Sequence, residues 1–281
     1  MPADIPTANF QPIGVFDSGY GGLTVLKEFV RTLPGYDYLY LGDNARTPYG
    51  ARSFETVHQY TLEAVLWLFA RGCQLVILAC NTASAKALRT IQQENLPLID
   101  PARRVLGVIR PVTEAVGYYT QTRHIGILGT AGTVLSRSYP IEIAKFYPDM
   151  IVTQEACPMW VPLVENNEFD SIGADYFVQK HIESLLAKDP LIDTLILGCT
   201  HYPLLLAKIH RFLPDHITII SQAALVAKRL ADYLNEHPKM AGRCSQHRLR
   251  QFYTTDSTEI FDRQARIFYG EPIEANQVRL A

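Results

Sequence analysis

Two cysteines in this sequence stand where a thiol can move a proton. Cys80 follows the apolar run LVILA (75–79) and opens NTASA, and Cys199 follows TLILG (194–198) and opens THYPLL. In open parallel sheets ligands collect beyond the carboxyl ends of the strands. Two further turns fall at such ends: Asp17-Ser18-Gly19 and Gly129-Thr130-Ala131-Gly132. All four read as openings onto helices, whose first N–H groups bind carboxylates and favour a thiolate. A free thiol has a pKa of roughly 8.5, so a helix N-terminus is expected to make it a usable base near neutral pH. With one thiol on each face of a carbon, one would take a proton while the other gives one.

Each of these residues has a plainer reading. A cysteine ending a buried strand is more often a small core residue, and Cys73, Cys157 and Cys244 are read that way. Cys80 and Cys199 differ because they occupy equivalent points in two similar stretches of chain. Asp17 could cap a helix or hold an ammonium, and His201 could be a surface residue or exchange protons with Cys199. Pro203 suits a first helical turn. Thr47-Pro48-Tyr49-Gly50 reads as a turn that could close over the same cleft. Glu165, in VPLVE, is most simply a carboxylate on a helix face.

The elements needed to position these side chains can be read from periodicity. Short apolar runs predict strands at 13–17, 38–41, 75–79, 125–128, 194–197, 217–220 and 251–254. Amphipathic stretches predict helices at 23–33, 54–71, 85–93, 223–234 and 259–268. VFDSGYGGLTVL followed by LVILACNTASAKAL is echoed by ILGTAGTVL followed by TLILGCTHYPLLLAKI, at a similar interval. The expected fold is α/β: two similar three-layer domains with central, mainly parallel sheets. They would be related by a pseudo-two-fold axis, with the active site in the cleft between them.

Composition narrows the function. Hydrophobic residues make up 48% of the 281, enough for a sizeable core, and a net charge of -2 gives no reason to expect nucleic acid. The longest apolar runs are too short to cross a bilayer. Met1 to Gln11 lacks the order of a secretory signal and reads as a loose tail. Five cysteines with no C-x-x-C pair suit a reducing, cytoplasmic setting. There is no phosphate-binding P-loop, third glycine of a dinucleotide turn, G-x-S-x-G elbow or H-E-x-x-H. No nucleotide, pyridoxal phosphate or metal is expected in the chemistry.

At these residues the chain resembles the glutamate racemases of the aspartate/glutamate racemase superfamily. GVFDSGYGGLTVL (14–26), YLGDNARTPYG (40–50), ACNTASA (79–85), VPLVE (161–165), GCTHYPLL (198–205) and FYTTDSTEIF (252–261) carry the resemblance in the family's order. It implies cofactor-independent interconversion of L- and D-glutamate, with D-glutamate going to peptidoglycan synthesis. It maps the catalytic pair onto Cys80 and Cys199, assisted by Asp17 and His201. Substrate-binding positions fall on Asp17, Ser18, Tyr49, Gly50, Asn81, Thr82, Thr200 and His201, with Pro48, Thr130 and Glu165 as looser matches. Hydrogen bonds from Asn81, Thr82, Thr200 and the backbone would hold the α-carboxylate. Because the family's chain returns to its first domain, the domains are expected at 1–104 plus 217–281 and at 105–216. Glutamate is the expected partner, along with a second copy of the chain in a homodimer; no membrane is expected. Some members are thought to have secondary partners, DNA gyrase among them. Tyr20 and Arg110 depart from the family pattern. The competing readings are a racemase of the superfamily acting on aspartate or another acidic amino acid, and a non-catalytic protein that senses a ligand.

Overall fold

The computed structural model describes residues 10–280, so most of the expected N-terminal tail lies outside the described residues. Ten strands follow in chain order: β1 (Ile13–Asp17), β2 (Tyr38–Gly42), β3 (Leu75–Leu78), β4 (Arg104–Gly107), β5 (His124–Gly129), β6 (Ile151–Ala156), β7 (Thr194–Gly198), β8 (Thr218–Ile220), β9 (Arg250–Thr254) and β10 (Ala275–Gln277). They form a six-stranded sheet, β10-β9-β2-β1-β3-β4, and a four-stranded sheet, β6-β5-β7-β8. Every pairing is parallel. The order β2-β1-β3-β4 in the first sheet matches β6-β5-β7-β8 in the second. The two halves that echo in sequence are therefore built alike, and β1, β3, β5 and β7 lie centrally and end at the four turns singled out above.

Continuous apolar strands are the mark of a sheet covered on both faces, and alternate residues divide between two layers. Ile13, Val15, Tyr38, Tyr40, Leu75 and Ile77 face a core shared with the second sheet. Phe16, Leu39, Leu41, Val76 and Leu78 face Val57, Val65 and Leu68 of the helix Phe54–Ala70. Between the sheets the helix Gly22–Thr32 packs on Gln222–Glu236, burying Leu26, Phe29, Val226 and Leu230. Full burial of one such side chain contributes about 1.5–3 kcal/mol. Caps add less, about 1 kcal/mol each: Ser53, Ser171 and Ser257 accept from Thr56, Ala174 and Ile260 at their helix starts.

The chain leaves the first sheet after β4 through Val108 and the helix Ile109–Ala115, and returns after β8 through Ser221 and Gln222–Glu236. By sheet membership, β4 belongs to the first unit and β8 to the second. We propose domain junctions there, at 107/108 and 220/221, in place of those expected at 104/105 and 216/217. Arg110 lies on the outgoing crossover helix, exposed and paired with Glu114 at 2.8 Å.

Strands β4, β6 and β10 carry no clear apolar signal because all three sit at sheet edges. The helix Ile172–Lys188 also escaped pattern reading. Its buried Ala174, Val178, His181, Ile182 and Leu185 are obscured by Ile172 and Tyr176, which face outward. The helix expected at 85–93 starts earlier, at Asn81, and breaks at Ala87 before continuing in short pieces to Ile99. No helix among the described residues is long and apolar enough to cross a membrane.

Candidate active site

Cys80 and Cys199 line one cavity of about 90 Å³ between the two sheets, each almost fully buried. A volume of that order holds several waters and hence one small metabolite. Cys80 caps the helix Asn81–Lys86, its Sγ accepting from Ala83 N at 3.4 Å and lying 3.4 Å from Ser18 Oγ. Cys199 Sγ lies 3.8 Å from His201 Nδ1, whose other ring nitrogen meets Glu165 Oε1 at 3.0 Å. Edge-on against that imidazole stands Phe268, which in turn stacks on Tyr20.

The cavity brings together Ser18, Pro48, Tyr49, Gly50, Asn81, Thr82, Thr130, Thr200 and His201 from the sequence-derived set. Asp17 and Glu165 stand behind the wall. The Asp17 carboxylate is fully buried, accepting from Gly19 N at 2.9 Å and from Thr200 Oγ1 at 3.4 Å. Tyr49 lines the cavity while its hydroxyl donates to Asp43 Oδ2. Thr82 and Thr130 meet hydroxyl to hydroxyl at 2.9 Å, joining the two halves.

Asn81 lines the cavity with its side chain already engaged. Its side-chain Oδ1 accepts from Tyr139 and Gln222, and its Nδ2 donates to Gln222. The amide is committed to the protein; the backbone N–H groups at the helix start are what remain for a carboxylate. Cys157, read as a core residue, is fully buried and yet lines the cavity with Pro158, Val161 and Pro162 as an apolar wall. Sequence reasoning missed it because it follows β6, the edge strand left unread. Its Cys-Pro junction after a strand was the available signal.

The family model described as Asp/Glu/Hydantoin racemase matches residues 13–230. The chain belongs to this family. Among curated racemases, the glutamate racemase of Enterococcus faecalis is 40% identical over 97% of this chain and 97% of that one. A glutamate racemase isoform from Bacillus anthracis superposes with a TM-score of 0.87 at 36% identity, covering 97% of this chain and 98% of that one. The glutamate racemase of Francisella tularensis, solved with D-glutamate, gives 0.85 at 29% identity, again over 97% and 98%.

The two sides of the racemase cavity differ in charge. Burial and the neighbouring Asp17 push the Cys80 thiol up to about 12, against the hydrogen bonds from Ser18 and Ala83. The expectation of a base poised near neutral pH therefore fails for Cys80: loss of water outweighs a single N–H dipole. Burial would depress His201, but its bonds to Cys199 and Glu165 and their charges prevail and raise it to about 10. Asp17 is raised as well, by burial, although His201 pulls the other way. His201 is thus pushed toward the imidazolium and Cys80 toward the protonated thiol.

That difference has a measurable consequence. The proton on His201 binds more tightly in the folded chain than in the unfolded one, where roughly 6.5 applies. Its stabilising contribution is complete below that value and disappears as pH rises through about 10. Glu165→Gln removes one of the two groups that raise it. The alkaline limb of kcat/KM should then move toward neutral by about one unit or more, because burial is left less opposed. An unmoved limb in a full pH profile would mean that His201 does not govern it.

Proposed function

We propose that this chain interconverts L- and D-glutamate with Cys80 and Cys199 as its acid and base. The carrying observation is that both thiols face one small cavity, Cys199 beside His201 and Cys80 near the Asp17 carboxyl group. In one direction Cys199, beside His201, is the base and Cys80 the proton donor. Proton transfer from the α-carbon to Cys199 and from Cys80 to the opposite face inverts the centre and leaves the pair ready for the other enantiomer. Among the described residues, no lysine or arginine lines the cavity, and His201 is its one histidine. Much of a dicarboxylate's charge therefore falls to N–H and hydroxyl dipoles from Ser18, Thr82, Thr130, Thr200 and the helix start after Cys80. These dipoles also hold the carbanionic intermediate, in a site whose side chains are mostly buried.

The product would supply D-glutamate for peptidoglycan. A cytoplasmic setting goes with this reading, since all five cysteines are free and none is paired. The homodimer expected from the sequence belongs to the same proposal. Polarimetry of the purified chain with L-glutamate, D-glutamate and L-aspartate tests the reading. Rotation should decay to zero from both glutamate enantiomers and persist with aspartate. Binding without decay would favour a sensing protein, and faster decay with aspartate a different substrate.

A further inference from the structure

Around Asn81, at the wall of the cavity, lies a buried polar cluster that the proton transfer does not use. Gln222 is the first residue of the return helix, and Val108 is the residue from which the outgoing crossover starts. Gln222 Nε2 donates to Val108 O at 3.3 Å, so one side chain ties together the two places where the chain passes between sheets. The same amide forms a reciprocal pair with Asn81: Gln222 Nε2 donates to Asn81 Oδ1 at 2.8 Å, and Asn81 Nδ2 donates to Gln222 Oε1 at 3.1 Å. Tyr139, from the helix Ser138–Phe146 of the second half, donates to Asn81 Oδ1 at 2.9 Å and lies 3.3 Å from Gln222 Nε2.

Two covalent neighbours give this cluster its meaning. Asn81 directly follows Cys80. The Tyr139 ring packs against Gly198, which directly precedes Cys199; a Cβ there would come within 3.2 Å of Tyr139 Cε2. The hydrogen bond from Tyr139 to Asn81 thus spans from the strand end carrying one thiol to the strand end carrying the other. Gln222 anchors that span to both crossovers. Every side chain involved is buried. In such surroundings a satisfied amide network is rigid, and the loss of one member leaves its partners unpaired.

We propose that Gln222 and Tyr139 are positioning residues whose hydrogen bonds to Asn81 set the separation of Cys80 and Cys199. The proposal rests on the two-thiol reading above. Inversion needs both thiols in register with one carbon. Removal of the α-proton and its replacement on the same face need only one. Loosening the strut should therefore separate the two events, because misplacement by about 1 Å can cost on the order of 100-fold in a step that depends on alignment.

The test uses Gln222→Met, which removes the amide at similar volume, and Tyr139→Phe, which keeps the ring against Gly198 and removes only the hydroxyl. Each full-length variant is given L-glutamate in deuterated water. Inversion is followed by chiral chromatography, and deuterium in the recovered L-glutamate by mass spectrometry. Inversion should fall about 10- to 100-fold, while exchange with retention falls far less, so that their ratio shifts by at least about tenfold. Inversion and exchange falling together, or neither falling, would overturn the strut. If Gln222→Met does not fold, Tyr139→Phe decides alone. Failure of the wild-type chain to invert glutamate would instead overturn the reading on which the strut rests.

Discussion

Replacing either active-site sulfur by oxygen should stop racemisation without stopping all chemistry. Cys80→Ser and Cys199→Ser are each expected to lower kcat for inversion by about 10²- to 10⁴-fold, the range general acid–base catalysis supplies. A serine hydroxyl packs in the same space but neither gives nor takes a proton at useful rates. The surviving thiol still faces the α-carbon from one side. An analogue with a leaving group on the β-carbon needs only one base: the thiolate takes the α-proton, the carbon–carbon double bond forms and the leaving group departs with its electrons. The variants should prefer opposite enantiomers, and Cys199→Ser should be the slower at neutral pH, because Cys80 gives up its proton less readily. Elimination rates resolved by enantiomer check this. Equal preference in both variants would place the two sulfurs on one face.

A single added methyl group at Gly21 should be nearly as damaging. Gly21 has ordinary helical dihedrals, so alanine meets no backbone strain there. Its surroundings are the obstacle. A Cβ would fall 2.2 Å from Thr200 Oγ1 and 2.6 Å from His201 Nδ1. Those atoms belong to the second half of the molecule and flank Cys199. Either they retreat, and the seam between the halves opens beside one thiol, or the helix start carrying Gly21 does. We expect Gly21→Ala to lose about 100-fold in kcat/KM, with a stability cost of about 1–3 kcal/mol, typical of overpacking. The thermal midpoint and the kinetics of the same sample separate the two effects. Activity within twofold of the parent would show that this approach is not needed for turnover. A second tight seam lies across the cavity, where Gly132 meets the Gly50 carbonyl and Gly50 meets Thr130.

Much of this was legible in the chain before any coordinates. The runs ending at Asp17, Cys80, Gly129 and Cys199 read as strands because a parallel sheet buried on both faces demands uninterrupted apolar residues, and the turns after them are where such sheets place ligands. Edge strands escaped for the converse reason: β6 and β10 are partly exposed, so nothing forces their sequences to be apolar. Cys157 was hidden with β6. The links among Asn81, Tyr139 and Gln222 had no local signature at all, since hydrogen bonds between residues far apart in sequence follow from the packing of two halves and not from periodicity. The upward shift of Cys80 is not legible in sequence, because a helix N-terminus can be read there, whereas the loss of water around a sulfur cannot.

The central claim is that two thiols address opposite faces of one carbon, and isotope placement tests it most directly. L-glutamate converted in deuterated water and sampled early should give D-glutamate carrying deuterium at the α-carbon, with little deuterium in the remaining L-glutamate. D-glutamate that retains the original α-proton would mean that one group carried it around the carbon, and the two-cysteine assignment would be wrong.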